Sequence, residues 1–383
     1  MSRGSAGYSH STPAFKTWSG DRALESLGRE VGRSASRVVL VGSPSVFRSD
    51  AVDRVRAVLG DRLATEFTQV QEHSPLPVVE RARDLLVDAG ADAVVAVGGG
   101  SAIVTARAAV ILRAEPGDPR ALASRREGGR MVSPRLDEPK IPIWIAPTTP
   151  STAYAKAGTA ILDPDAGERL ALYDPKTRAR GVAFDPVLAA TAPAGLVRSA
   201  SLNALSLAVE GLLSEGGDPL ADALLAHALR LAVRWIPLIE QEEQARLHLM
   251  AAALLSGQGS DYARGGLAQG LSHIVGPRSS VANGTVEAML LPAAIRLEAV
   301  LSGSRAPLVA AVLGIDGDDP SDVARAIERV SSTAGLPAGL RDVGIAEDSL
   351  PDLAARARDD WSIASRALAP TADQLTELLR SSW

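Results

Sequence analysis

Ala93-Val94-Val95-Ala96-Val97-Gly98-Gly99-Gly100-Ser101 is the stretch on which the fold turns. Five small and β-branched apolar residues in a row predict a strand buried on both faces, as in a parallel sheet. Three glycines and a serine end it, and helical spacing follows from about Ala102 to Leu112. Glycine lets the backbone take positive φ and come close to a phosphate. A helix starting there offers unpaired N–H groups and the positive end of its dipole to that phosphate, and Ser101 adds a hydroxyl. The same pattern also makes a tight strand–helix turn with no ligand. Gly98, Gly99, Gly100 and Ser101 are therefore candidate phosphate contacts on this motif alone.

Working outward, Arg37 to Val41 reads as a strand ended by Gly42-Ser43-Pro44, with helical spacing from Val52 to Leu59. Ile141 to Ile145 reads as a third strand, ended by Pro147-Thr148-Thr149. This alternation predicts an open parallel sheet with helices on both faces, and the carboxyl ends of its central strands are where nucleotides bind. Residues 114–138 are rich in Arg, Glu, Pro and Gly and read as a surface loop or short helix. From Pro193 onward β-branched runs disappear. Residues 198–214, 218–236, 241–258, 285–302 and 319–334 carry Ala/Leu-rich helical periodicity. The expected organisation is a flexible Ser/Gly/His-rich N-terminus over 1–12, a Rossmann-like α/β domain over 13–186 and an all-helical domain over 187–383.

Composition narrows the function classes. A chain of 383 residues suits two domains. The net charge of −5 argues against nucleic-acid binding, which needs a basic face. With no cysteine there is no disulfide, thiolate metal site or Cys nucleophile. No run reaches 18 apolar residues and no apolar leader segment is visible, so the expectation is a cytoplasmic protein without a membrane partner.

Four segments carry a family resemblance. Gly98–Ser101, Pro147-Thr148-Thr149, Asn203-Ala204-Leu205-Ser206-Leu207-Ala208-Val209-Glu210 and Leu271-Ser272-His273-Ile274-Val275-Gly276 resemble, in order and spacing, the iron-containing (group III) alcohol dehydrogenase superfamily. The likeness runs from about Phe15 to the C-terminus. It looks closest to the maleylacetate reductase branch. Val104 stands where many relatives carry an acidic residue, Asn203 stands at the usual ligand Asp, and Ala334 to Ile345 is similar to a segment of that branch. The resemblance implies the dehydroquinate synthase-like fold, with a Rossmann-like domain, a helical domain and a cleft between them. It implies NAD(P)(H) over Gly98–Ser101 with Thr148, Thr149 and Thr152 nearby, a small-molecule substrate against the helical domain, and a homodimer.

Departures from the family pattern matter as much. Relatives place Asp and His at i, i+4 on one helix as metal ligands, with two further His. Here the four positions hold Asn203, Leu207, Gln269 and Asn283. None is a normal ligand for a hard or borderline divalent cation, so no metal is expected. The branch's Asn-Pro-Arg-Pro stretch is also gone: only the last Pro survives in Ala367-Leu368-Ala369-Pro370.

What remains for chemistry is led by His273, matched to a family position that lines the cleft near the nicotinamide. It is read either as a general acid or as a packing residue. Tyr154 and Lys156 are candidates for polarising a carbonyl, by analogy with metal-free reductases of another fold; Lys156 serves equally as a phosphate contact or a solvated group. Asn203, Gln269 and Asn283 offer neutral amides that hold a substrate oxygen or a developing oxyanion, or simply satisfy one another. Arg278, in the same loop, is a carboxylate-binding candidate. Gly42-Ser43-Pro44-Ser45 lacks the acidic residue that grips the ribose hydroxyls and has Arg48 nearby, which leans to NADP(H) or dual use, with Ser43 a cofactor contact. The reading is a metal-independent NAD(P)(H)-dependent oxidoreductase acting on an activated carbonyl or alcohol. Two alternatives stay open. One is an oxidoreductase of a peptide natural-product pathway, for example decarboxylating a C-terminal Thr oxidatively. The other is a nucleotide-binding subunit that has lost catalysis and serves a biosynthetic partner protein.

Overall fold

The computed structural model describes residues 8–127, 130–214, 218–263, 265–302, 305–317, 319–366 and 368–383. The chain packs as two compact units, Lys16–Ala204 with Leu231–Gly257, and Met1–Phe15 with Leu205–Arg230 and Gln258–Trp383. The first unit thus runs past residue 186 and takes back a later helical stretch. Arg246 donates to the carbonyls of Ala189 and Ala192 at 2.7 and 2.6 Å, and the Ser256 hydroxyl donates to the Ala204 carbonyl at 2.8 Å, tying that stretch in place.

In chain order the strands are β1 (Lys16–Ser19), β2 (Val38–Gly42), β3 (Leu63–Phe67), β4 (Ala93–Gly98), β5 (Arg125–Glu127), β6 (Arg130–Val132), β7 (Ile143–Pro147), β8 (Gly158–Asp163), β9 (Glu168–Tyr173) and β10 (Gly181–Phe184). Six of them form a parallel sheet in the order β1-β10-β7-β4-β2-β3. Every residue of β2, β4 and β7 is buried, which explains their unbroken apolar runs. Alternate residues Val38, Leu40, Val95, Val97, Trp144 and Ala146 share one core with Leu24, Leu27, Val52 and Val55 of the helices Ala23–Val31 and Ala51–Leu59. Truncating Leu40 to Ala in such a core costs about 2–5 kcal/mol.

The stretch at 114–138 corrects the sequence reading. It holds a 3-10 turn over Pro119–Leu122 and the antiparallel pair β5–β6, with Gly128 and Gly129 outside the described residues. Arg120 anchors it, its guanidinium reaching both oxygens of the buried Asp163 at 2.6 and 3.1 Å. β8 and β9 form a second antiparallel pair.

The second unit is helical. Its helices include Leu267–Val275, Asn283–Ser302, Ala306–Leu313, Pro320–Thr333, Leu350–Ala357, Trp361–Ala364 and Ala372–Ser381. Side chains of Asp319, Asp360 and Thr371 cap the N-termini of three of them. The expected flexibility of 1–12 needs correcting where the structure describes it: His10 is almost buried, stacks on Tyr262 at 3.9 Å and bonds Asp218 at 3.0 Å. Residues 1–7 lie outside the described set. Among the described residues one helix, Ala194–Leu213, is long and apolar enough to cross a membrane; 78% of its apolar window is buried inside the protein, as in a core helix.

Candidate active site

The sheet order places a switch point between β2 and β4. From β2 the chain moves outward to β3, then returns to the opposite side of β2 as β4. In open α/β sheets ligands bind at the carboxyl ends of strands beside such a point. The residues standing there are Gly42-Ser43 at the end of β2, and Gly98-Gly99 at the end of β4. Gly98 has φ +133°, which side chains rarely tolerate. The Gly100–Ala114 helix starts at once and leaves its first N–H groups free for an anion. β7 ends alongside: Gly98 pairs with Pro147, and the Thr148 N–H donates to the Gly98 carbonyl at 3.0 Å. Thr148 and Thr149 are buried against this turn, and a Cβ on Gly99 would lie 3.0 Å from the Thr149 hydroxyl. The turn and its surroundings suit the pyrophosphate of a dinucleotide.

Behind the turn sits a strained pair. His73 and Ser74 have φ of 62° and 49°, values uncommon outside glycine. The buried Ser74 hydroxyl donates to the Ser101 carbonyl at 3.1 Å and accepts from Thr105 at 2.9 Å. Nothing in the sequence pattern singled out this brace.

Tyr154 departs from its expected role. It is entirely buried, its hydroxyl donates to the Thr149 carbonyl, and its ring lies 5.5 Å from that of Phe184. Burial pushes its phenol well above the usual range, beyond what the hydrogen bond near Ser151 offsets. The hydroxyl braces the Pro147-Thr148-Thr149 turn and does not polarise a substrate. Lys156 is half-buried two residues on. Arg107, fully buried on the Gly100–Ala114 helix, donates to the carbonyls of Ala153 and Gly158 at 2.9 and 3.2 Å and fixes the same segment. Thr152 donates to the Asn203 side-chain oxygen at 3.3 Å, so these two candidates do meet.

The remaining candidates belong to the second unit. Leu207 is buried and offers no donor atom. Glu210, one turn on, accepts the Ala268 and Gln269 N–H groups at 2.6 and 3.1 Å, capping the Leu267–Val275 helix. Gly266 is required beside it, since a Cβ there would fall 1.9 Å from the carboxylate. Gln269 is half-buried, and its carbonyl accepts from Ser272 at 2.8 Å. Asn283 donates from Nδ2 to the same Ser272 hydroxyl at 3.3 Å, while its Oδ1 is buried without a partner. Ser272 thus links the Asn283 side-chain amide to the Gln269 backbone carbonyl, and the Gln269 side-chain amide takes no part in that link. Arg278 is exposed and caps the helix end at the Ile274 carbonyl (2.6 Å), so it is engaged as a helix cap. Ala367 lies outside the described residues, and Leu368 is 59% exposed.

His273 is held by a residue that the motifs did not reveal. Its Nδ1 lies 2.8 Å from Asp360 Oδ2, and both side chains are largely buried. Burial works to raise the Asp360 carboxyl, but the bonds from His273 and Ser362 outweigh it and hold the group below the usual range.

The four positions that the family resemblance would give to metal ligands hold three amides and a leucine. Among the described residues no group of three His, Cys, Asp or Glu side chains comes together in a way that could hold a metal ion. This donor set does not fit iron.

Comparison with known proteins places this arrangement. The family model for iron-containing alcohol dehydrogenase matches residues 14–186, and that for the C-terminal part of the Fe-containing alcohol dehydrogenase family matches 198–383. The chain belongs to the iron-containing alcohol dehydrogenase family. It is 28% identical over 338 residues to 4-hydroxybutyrate dehydrogenase of Cupriavidus necator, covering 85% of this chain and 86% of that protein. It is 26% identical over 343 residues to maleylacetate reductase 1 of Cupriavidus pinatubonensis, covering 88% and 87%. An alcohol dehydrogenase from Oenococcus oeni shares the fold with a TM-score of 0.87 at 20% identity, over 96% of this chain and 98% of that one. The family consists of oxidoreductases.

Proposed function

We propose that this member of the family is a metal-independent, NAD(P)(H)-linked oxidoreductase acting on an activated small carbonyl compound, such as a keto acid, or on the corresponding alcohol. The carrying observation is that His273 is paired with Asp360 in a unit whose ligand positions Leu207, Gln269 and Asn283 offer no carboxylate or imidazole. A nicotinamide supplies or takes the hydride. Gly98, Gly99, Gly100, Ser101, Thr148 and Thr149 would hold its pyrophosphate. His273 handles the proton, and the Gln269 amide is the polar group its own unit offers to a substrate oxygen.

A metal lends several kcal/mol of charge stabilisation to the reacting oxygen. Neutral amides and an imidazole lend less. A carbonyl already activated by a neighbouring carboxyl group fits that weaker assistance better than an unactivated alcohol does.

The test is NAD(P)H oxidation at 340 nm against a panel of small 2-oxo acids, with metal analysis of the purified protein. Activity on at least one of them, unchanged within about twofold after EDTA dialysis, is the expected result. Loss of activity on chelation, restored by Fe²⁺ or Zn²⁺, would overturn the reading.

A further inference from the structure

The carboxylate of Asp360 is fixed at both oxygens. One, Oδ2, meets His273 Nδ1 at 2.8 Å. The other accepts the Ser362 N–H at 2.9 Å and the Ser362 hydroxyl. An ionised carboxylate only accepts hydrogen bonds, so the hydrogen in the His273 contact belongs to Nδ1. The other ring nitrogen, Nε2, is then the acceptor nitrogen of the neutral ring.

Packing holds this arrangement in place. The turn Asp360–Ile363 lies directly on the Leu267–Val275 helix because that helix and its approach carry glycine where the two touch. A Cβ on Gly265 would fall 2.3 Å from the Ser362 Cβ, and one on Gly270 would fall 2.5 Å from the Ser362 hydroxyl. Three residues beyond Gly270, on the same face of the helix, His273 meets Asp360. The imidazole keeps 22% of its side-chain surface exposed, against 9% for the carboxylate. The ring is partly open while its partner is closed off.

We propose that Asp360 is the positioning residue of the site: it fixes the Nδ1–H tautomer of His273 and leaves Nε2 as the atom that exchanges a proton with the substrate oxygen. The proposal rests on the proton-transfer role assigned to His273 above. In the reducing direction a bound nicotinamide would supply hydride to the carbonyl carbon, and the C=O π pair would close onto oxygen. That oxygen takes the Nε2 proton of the imidazolium. The ring is left neutral with its remaining hydrogen on Nδ1, still held by Asp360, and solvent returns the lost proton. Oxidation runs the same transfers backward.

The decisive experiment is ¹⁵N NMR of histidine-labelled protein, with the His273 signals assigned by difference from His273→Gln. In the native protein at alkaline pH the expected tautomer carries hydrogen on Nδ1, and in Asp360→Asn that preference is lost. Asparagine still caps the Trp361–Ala364 helix, so the fold is retained. With whichever oxo acid the native enzyme reduces fastest, Asp360→Asn is expected to lower kcat by about 10²-fold with KM within about twofold. In a His273→Gln background the same change should cost nothing more, since the two residues act as a unit. An Nε2–H tautomer in the native protein, or an equal kcat loss from Asp360→Asn with and without His273, would overturn the proposal. Full kcat in Asp360→Asn beside a crippled His273→Gln would remove Asp360 and leave the proposed function standing. Full kcat in His273→Gln would remove the proton-transfer reading itself. Should Asp360→Asn not fold, the native tautomer and Ser362→Ala, which removes one of the two hydrogen bonds to Asp360 Oδ1, decide the matter.

Discussion

Glu210 accepts the Gln269 backbone N–H at 3.1 Å from a buried carboxylate, and through it holds the first turn of the helix that carries His273. Burial pushes this carboxyl up to about 7, against the opposing pull of the Ala268 and Gln269 amides. Its unfolded value is near 4.5. As pH rises between these two values the unfolded chain has released the proton while the folded chain keeps it. Folding stability therefore falls across that window and levels off above it, by roughly 3 kcal/mol if the whole shift is expressed. Glu210→Gln removes the titration. Its urea midpoint should change less than the native one between pH 5 and pH 8; a gap between the two proteins that does not vary with pH would count against this account.

Tyr154→Phe separates bracing from catalysis. The variant loses the hydroxyl that holds the Thr149 carbonyl in a buried place. It should lose about 1–3 kcal/mol of stability in thermal or urea unfolding. Its kcat should stay within about threefold of native, because no proton moves through this phenol. A loss of 10²-fold or more with unchanged stability would restore Tyr154 as a catalytic group.

Ser43 is the position at which a change of coenzyme preference is expected. Its hydroxyl contacts that of Ser45 at 2.9 Å, next to the end of β2 and with the exposed Arg48 in the following turn. Ser43→Asp supplies the carboxylate that grips the ribose hydroxyls and repels a 2′-phosphate. The ratio of NADPH to NADH affinity, measured by fluorescence titration, should fall by about tenfold or more. An unchanged ratio would show that the ribose lies elsewhere.

The parts of the fold that were legible are those whose chemistry is local. β2, β4 and β7 are buried on both faces, so their apolar runs are unbroken and stand out. β1 escaped notice because it is a mostly exposed edge of four residues, β3 because the other edge is only half-covered, and β10 because four residues carry no period. The site divided in the same way. The glycine turn and His273 could be read from their motifs. The partner of His273 could not, because Asp360 lies 87 positions further along the chain and meets it only through helix packing. Tyr154 was misread because nothing in its neighbourhood tells a phenol facing solvent from one turned into the core.

The strap from Thr148 to the Gly98 carbonyl carries a consequence for affinity. A glycine-rich loop left to itself samples many conformations and must surrender them when a ligand arrives. Here β7 is laced to β4 at the point where the loop begins, so folding has already removed that freedom. A dinucleotide bound there would meet a preorganised cradle, and the entropy of ordering the loop would not detract from its binding free energy.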